Sequence, residues 1–372
     1  MFGLTFFHPA SLLIFDATFK TAYRLGIMKK IFIVLSLSLF FFNCNNKTGT
    51  PDVSGVKINL ETERFENDLF SIDTNNISQA LSPLMQKYPS FTPAFFGGVM
   101  GLPDSALVLD REIRRFISAN RFIYEAARKK YNDLNDVNKD LQKSFQFVKY
   151  YFPSYTVPKI ITLIGPIDAM AKMQNGDYST DFLGRDFLGI SLQFYLGADF
   201  SLYHAQYFID NVAPLYRSRR FDREYIVPDA MKLITDDLFP DKSSGRPLIE
   251  QMIERGKQWW LLDRFMPAAA DSLKTGYTQK QMDWCKSNEG LIWNYFVSNE
   301  NLETIEPDVI QNFIGESPTT QGMPGASPGN IGQWVGWQIV KKFAEKNSSM
   351  KPADVMNTPA RKILTEAKYK PK

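Results

Sequence analysis

Lys29 and Lys30, then a charge-free apolar run from Ile31 to Phe42, then Cys44 set in Asn43-Cys44-Asn45-Asn46: this order constrains the chain more than any other feature. A basic head followed by roughly 7–15 apolar residues is the pattern of a secretory signal peptide. The run is too short to cross a bilayer as a helix, which takes about 20 apolar residues. A cysteine at the exit of such a segment is where bacterial lipoproteins are acylated and cut, so Cys44 is read as the lipidation site and the first mature residue. The sequence holds two cysteines, which leaves Cys285 alone, and no intramolecular disulfide can form. An exported domain without cross-links must be held by its core. The 14% aromatic content suits that requirement.

The same reading organises the rest of the chain. Residues 1–27 show neither helix caps nor a hydrophobic period and stand before a second methionine, so they are expected to be an upstream extension, with translation starting at Met28. Residues 28–43 form the signal peptide. Residues 44–57, which include "NNKTGTPDVSG", are polar and broken by Pro and Gly, a tether between lipid and domain. An N-terminal helical region is expected over 58–153 and an α+β region packed with it over 154–372. Val56, Ile58 and Leu60 alternate, predicting a short strand that runs into a helix. Apolar residues then recur at three and four, as in Ile113, Phe116 and Ile117 or Leu141, Phe145 and Val148, and predict helices from Asn76 to about Tyr151. "KIITLIGPID" and "FLGISLQFYLGADF" read as strands. "RPLIEQMIERGKQWWLLDRFMP", "TQKQMDWCKSNEGLIWNYFVSN" with Thr278 as its cap, and "IGQWVGWQIVKKFAEK" read as helices. The expected class is α+β, mostly helical, with a small central sheet.

Composition excludes several chemistries. A net charge of +3 gives no electrostatic case for nucleic acid. The one basic knot, Arg217, Arg219, Arg220 and Arg223, is interleaved with Asp222 and Glu224 and is read as a solvated loop face. Of the two histidines, His8 lies in the dispensable segment, so the mature chain has only His204. A zinc peptidase helix needs two histidines one turn apart to grip the metal from one face, and a Cys-rich zinc site is equally impossible. No metal or cofactor is expected. A serine triad would have to use His204 with Asp210, and no Gly-x-Ser-x-Gly elbow accompanies them. His204 is therefore a weak binding candidate, read first as a hydrogen-bonded structural residue. Asp236 with Asp237, and Glu250 with Glu254, are paired acids of the kind used in sugar hydrolysis, but such pairs are common on helix surfaces. All six tryptophans fall between Trp259 and Trp337. Trp259 and Trp260 are thus candidates for a stacking surface in an open groove, and a large aromatic core is the alternative. Gly332-x-x-x-Gly336 lets a helix approach its neighbour closely.

Taken in order, the signal peptide and Cys44, "YPSFTPAFF", "LGISLQFYLGADF", "IVPDAMKLITDDLFP", "LIEQMIERGKQWWLLDRFMP", "YTQKQMDWCKSNEGLIWNYF" and "SPGNIGQWVGWQIV" resemble the gliding-motility lipoprotein GldB family of Bacteroidetes. The resemblance runs from Met28 to the C-terminus. It implies a lipid-anchored component of the cell envelope, facing the periplasm and required for surface gliding, working beside other proteins of the gliding and type IX secretion apparatus. The family transfers no catalytic residue, and the expectation is a non-catalytic scaffold or binding protein. A remoter likeness is to zinc metallopeptidase-like domains, in which one helix carries His-Glu-x-x-His and the next a further acidic ligand. Here the helix around Met231 to Leu238 has no histidine, while Glu254 sits where the late acid would be. The alternative function is a glycan-binding or carboxylate-based glycan-active envelope protein, with Glu254, Trp259 and Trp260 in its cleft.

Overall fold

A β-branched apolar stretch bounded by Pro158 and Gly165 forms the middle of a four-stranded sheet, around which the rest of the domain is wrapped. The computed structural model describes residues 49–103, 105–173, 177–298 and 301–371, and Val53–Lys372 make one folded unit. Cys44, Met28 and the segments before the tether lie outside the described residues.

The sheet runs in the order β1 (Thr62–Arg64), β2 (Lys159–Leu163), β6 (Phe187–Ser191), β5 (Phe182–Leu183). The first three strands are parallel and β5 is antiparallel at the edge. Strand β2 is buried from Ile160 to Leu163, which is why it reads as a continuous apolar run; "FLGISLQFYLGADF" is a strand only from Phe187 to Ser191, buried throughout in place of alternating, and continues as a helical turn at Leu192–Phe194. Gly189 in β6 leaves room for the Phe182 ring, which lies 2.8 Å from where a Cβ would stand. A separate hairpin pairs β3 (Ala171–Lys172) with β4 (Tyr178–Ser179).

The crossover from β1 to β2 is helical, as its period predicts. It comprises α1 (Phe65–Ser71), α2 (Ile77–Lys87), α3 (Ala106–Lys130) and α4 (Asn135–Tyr151), with a short helical turn through Phe91–Val99 between α2 and α3. Phe65, Tyr88, Phe91 and Phe95 meet edge-on beside the sheet with centroids 4.7–5.2 Å from the Phe65 ring. Strand β1 starts later than the alternation suggests. Val56 and Ile58 belong to no strand; instead their carbonyls accept from the Gln146 and Gln142 side chains of α4 at 2.9 and 3.2 Å.

After β6 come α5 (Ile226–Leu238), α6 (Leu248–Phe265), α7 (Gln279–Ser287), α8 (Glu289–Ser298), α9 (Pro307–Ile314), α10 (Ile331–Lys346), α11 (Pro352–Asn357) and α12 (Ala360–Ala367). The one helix read across Thr278–Asn299 is two, parted at Asn288, and Thr278 caps the first through a reciprocal bond with Gln281. Helices α6 and α10 form the central pair. A Cβ on Gly336 would overlap the Met252 carbonyl, and one on Gly256 would overlap the Gly336 and Trp337 backbone. The two glycines thus bring the helix axes close, and Gly336 is a packing residue. Trp334 and Trp337 are 1% exposed beside it.

Candidate functional site

Helix α5 places Asp229, Lys232, Thr235 and Asp236 along one face, since residues three, four and seven apart share a side of a helix. They border a polar cleft of about 130 Å³. The opposite wall is Gln258, Trp259 and Leu262 of α6 together with Asn330 and Gln333 at the start of α10. The β3–β4 hairpin and the residues after it supply Met173, Asp177, Tyr178, Ser179 and Thr180, and the short helix Leu215–Ser218 with the turn after it supplies Arg217, Arg220 and Phe221. A second cavity of about 290 Å³ opens beside the first and shares Met170, Tyr178 and Arg217 with it. Tyr178 is half-exposed, with the Arg217 guanidinium 5.4 Å from its ring centre.

Charges in the cleft are arranged as ion pairs. Glu316 meets Arg217 at 2.6 Å and also pairs with Arg220. Burial opposes the Glu316 charge, but Arg220 and Arg217 outweigh it and hold the carboxyl below the usual glutamate range. Asp229 pairs with Lys232 at 2.9 Å. Arg255 of α6 joins Asp177 at 2.8 Å to Asp241 at 3.0 Å. Asp236 stands by these acids. Its carboxyl is raised by burial and then by the Asp241 charge, with Asp177 adding to it and Arg255 acting against it.

Beneath the cleft lies a buried acid that the sequence did not single out. Asp181 is fully buried; it accepts the Ser191 N–H at 2.9 Å and the Tyr195 hydroxyl at 2.7 Å. The same hydroxyl lies 2.8 Å from Thr180 and 3.4 Å from Asp229 of the cleft wall. Burial pushes Asp181 up to about 8, against the lowering effect of its two hydrogen bonds, so it is largely protonated at neutral pH.

The residues picked out by sequence are scattered. Trp259 lines the cleft but is 5% exposed, edge-on to Tyr277 and Trp337. Trp260 is 3% exposed under the Arg264 guanidinium. Neither ring offers an open stacking platform. Glu254 is not at the cleft; it receives two bonds from buried Lys257, at 2.8 and 2.9 Å. His204 is exposed, with Nε2 2.9 Å from the Ala198 carbonyl oxygen. Asp210 accepts from Gln206 at the rim of the second cavity. The acid pairs are divided as well, because Asp236 faces the cleft and Asp237 is exposed, while Glu250 bonds Arg361 at 2.7 Å. The solvated reading of the basic knot is corrected: the Arg217 and Arg220 side chains are only 15% and 22% exposed and turn inward to Glu316, Arg223 is 25% exposed and pairs with Asp136, and Arg219 donates to the Gly276 carbonyl. Glu316 lies 96 residues from Arg220, a pairing that local sequence does not signal. Gln333 was missed because an amide inside an aromatic helix looks like a surface position.

Fold and cleft together define a class: a mostly helical α+β domain around a polar, ion-paired cleft. Among the described residues no group of three His, Cys, Asp or Glu is placed to hold a metal ion. The chain belongs to the family of gliding motility protein GldB, which it matches over residues 46–371. Membership implies involvement in gliding motility, and the lipoprotein family suggests an envelope protein anchored at a membrane. No described helix is long and apolar enough to cross a membrane. Searches of curated proteins and of solved structures returned no match.

Proposed function

We propose that this protein is a lipid-anchored, non-catalytic scaffold or binding protein of the gliding and type IX secretion apparatus, attached through Cys44 with its domain facing the periplasm. The observation that carries this reading is the family match, which runs through almost the whole domain and begins just after the proposed lipid site. The state of the cleft supports a binding role. Asp229, Glu316 and Asp177 are each held by a cation, which leaves Asp236, raised by burial, as the one cleft carboxylate outside these pairs. On this reading α5 is the counterpart of the histidine helix of zinc peptidases and presents Asp229 and Lys232 to the cleft in place of metal ligands.

Anchoring is tested with Cys44→Ser. Several acyl chains contribute about 0.8 kcal/mol for each buried CH₂, far beyond the marginal hold of a single chain. The variant is expected to leave the membrane fraction, or to persist as an uncut precursor, and cells carrying it as their only copy are expected to stop gliding. Mature-length Cys44→Ser protein that stays fully with membranes, in cells that still glide, would overturn the proposal.

A further inference from the structure

We infer that the end of the domain where α4 and α6 finish, carrying Tyr150, Tyr151, Tyr155 and Arg264, rests on the phospholipid headgroups of the membrane that holds the anchor. The inference builds on the proposal that Cys44 carries lipid, and adds which face of the domain meets the bilayer.

The path of the chain into the domain leads to that end. Thr62 donates to Asn138 of α4 at 2.5 Å, and the Ile58 and Val56 carbonyls accept from Gln142 and Gln146 at 3.2 and 2.9 Å. Followed backwards from β1, the chain climbs α4 a turn at a time towards its C-terminal end. Val53 is fully buried, so this stretch belongs to the folded unit. Gln146 lies about 6 Å along the helix from Tyr150 and about 16 Å from Asn135 at the other end. Cys44 is nine residues before Val53, a reach of at most about 30 Å. A lipid at Cys44 keeps the domain within that distance of the bilayer, and the tether pulls next to the Tyr150 end.

The surface at that end suits a headgroup layer. Phe152 meets Phe239 and Phe265 with centroids 5.6 and 5.9 Å apart, so the ends of α4, α5 and α6 converge there. Tyr150 is 47% exposed and stands edge-on to Tyr151 at 5.1 Å. Lys149 donates to the Tyr155 carbonyl at 2.9 Å and to the Pro153 carbonyl, which fixes the turn that carries Tyr155. Tyrosine presents an apolar ring with a polar tip and concentrates at membrane–water interfaces for that reason. Arg264, in the last turn of α6, has its guanidinium 4.8 Å from the Trp260 ring centre. It makes no ion pair or hydrogen bond among the described residues, and its Nε is buried without a partner. The nearby carboxylate that could compete for it, Asp237 at the end of α5, receives the Tyr155 hydroxyl. A guanidinium binds a phosphate through two parallel hydrogen bonds, and a bilayer surface presents phosphates beside the interface that the tyrosines favour.

The test is fluorescence quenching of the full-length lipoprotein in vesicles of phosphatidylethanolamine and phosphatidylglycerol that carry a headgroup nitroxide lipid. Tyr150→Cys and Asn135→Cys place a thiol-linked dye at the two ends of α4, about 22 Å apart. Cys285 is buried, and an acylated Cys44 has no free thiol. The Tyr150 dye is expected to be strongly quenched and the Asn135 dye to keep most of its emission. Adding Arg264→Gln to the Tyr150→Cys protein should lower the ratio of docked to undocked molecules about fivefold, the effect of one cation at an anionic surface, read as recovered emission. Circular-dichroism melts establish that each variant is folded, and the comparison of the two dyes does not depend on the Arg264 variant. Protein that fails to float with the vesicles overturns the anchoring at Cys44 and this inference with it. Protein that floats with both dyes quenched alike, or with the Asn135 dye quenched more, overturns this inference alone. So does a Tyr150 dye shielded from soluble iodide yet untouched by the nitroxide, which would mark a second copy of the chain in place of the bilayer. Unchanged quenching in the Arg264→Gln protein would remove the guanidinium from the contact.

Discussion

Asp181 shows how one side chain ties stability to pH. Its carboxyl is fully buried and raised to about 8, well above the range it has when unfolded. The folded state therefore holds a proton that the unfolded state releases above about pH 4. Stability contributed by that proton is complete below the unfolded value and is lost as pH rises through about 8. Asp181→Asn keeps an acceptor for the Ser191 N–H and offers Tyr195 an amide, without the titration. Urea melts at pH 5 and pH 8.5 should show the variant gaining stability relative to the parent at the higher pH; parallel profiles would refute this. Lys257 makes the complementary case for a cation. It is 2% exposed and donates to Glu254 and to the Met356 and Thr358 carbonyls, so it holds the turn between α11 and α12 from below. Lys257→Ala orphans these acceptors and is expected to cost about 3–5 kcal/mol in denaturant unfolding. A cost below about 1 kcal/mol would show that water replaces the ammonium.

At the scale of elements, the α6–α10 pair depends on glycine. Because a methyl group on Gly336 meets the Met252 backbone and not the end of a flexible side chain, the helices must separate to admit it. Gly336→Ala is expected to destabilise by about 1–3 kcal/mol, the range for overpacking a well-filled core, although Ala is the better helix former. A variant as stable as the parent by guanidinium melts would mean the helices can part at no cost. The capping box of α7 is a smaller effect. Thr278 and Gln281 satisfy each other's backbone N–H groups, and Thr278→Ala should lower stability by about 1 kcal/mol, read as a lower denaturant midpoint with unchanged slope. Such local devices are legible in sequence because cap, period and glycine spacing act over one or two turns.

For the whole molecule, no three His, Cys, Asp or Glu among the described residues are placed to hold a metal ion, and the purified mature protein is expected to contain no stoichiometric zinc by elemental analysis; one tightly held zinc per chain would refute the non-catalytic reading. The sequence by itself determined the class and most of the elements. The apolar periods of Ile113–Ile117 and Leu141–Val148 are met by burying one helix face, and the β-branched run at Ile160–Leu163 by a covered strand, whereas burial of both faces of Phe187–Ser191 is a product of the sheet that the glycine-spaced sequence does not signal. Tryptophan density was legible as mass to be buried, but not as wall or platform; packing against Tyr277 and Trp337 made Trp259 a wall. The site was decided by tertiary structure alone. Arg220 with Glu316, Arg255 with Asp177, and Tyr195 with Asp181 and Asp229 are partnerships across 96, 78, 14 and 34 residues. A charge read in sequence looks solvated until a distant segment supplies its counter-ion. The energy that turns Arg217 inward comes from burying a pair, a quantity that exists only once both segments are folded against each other.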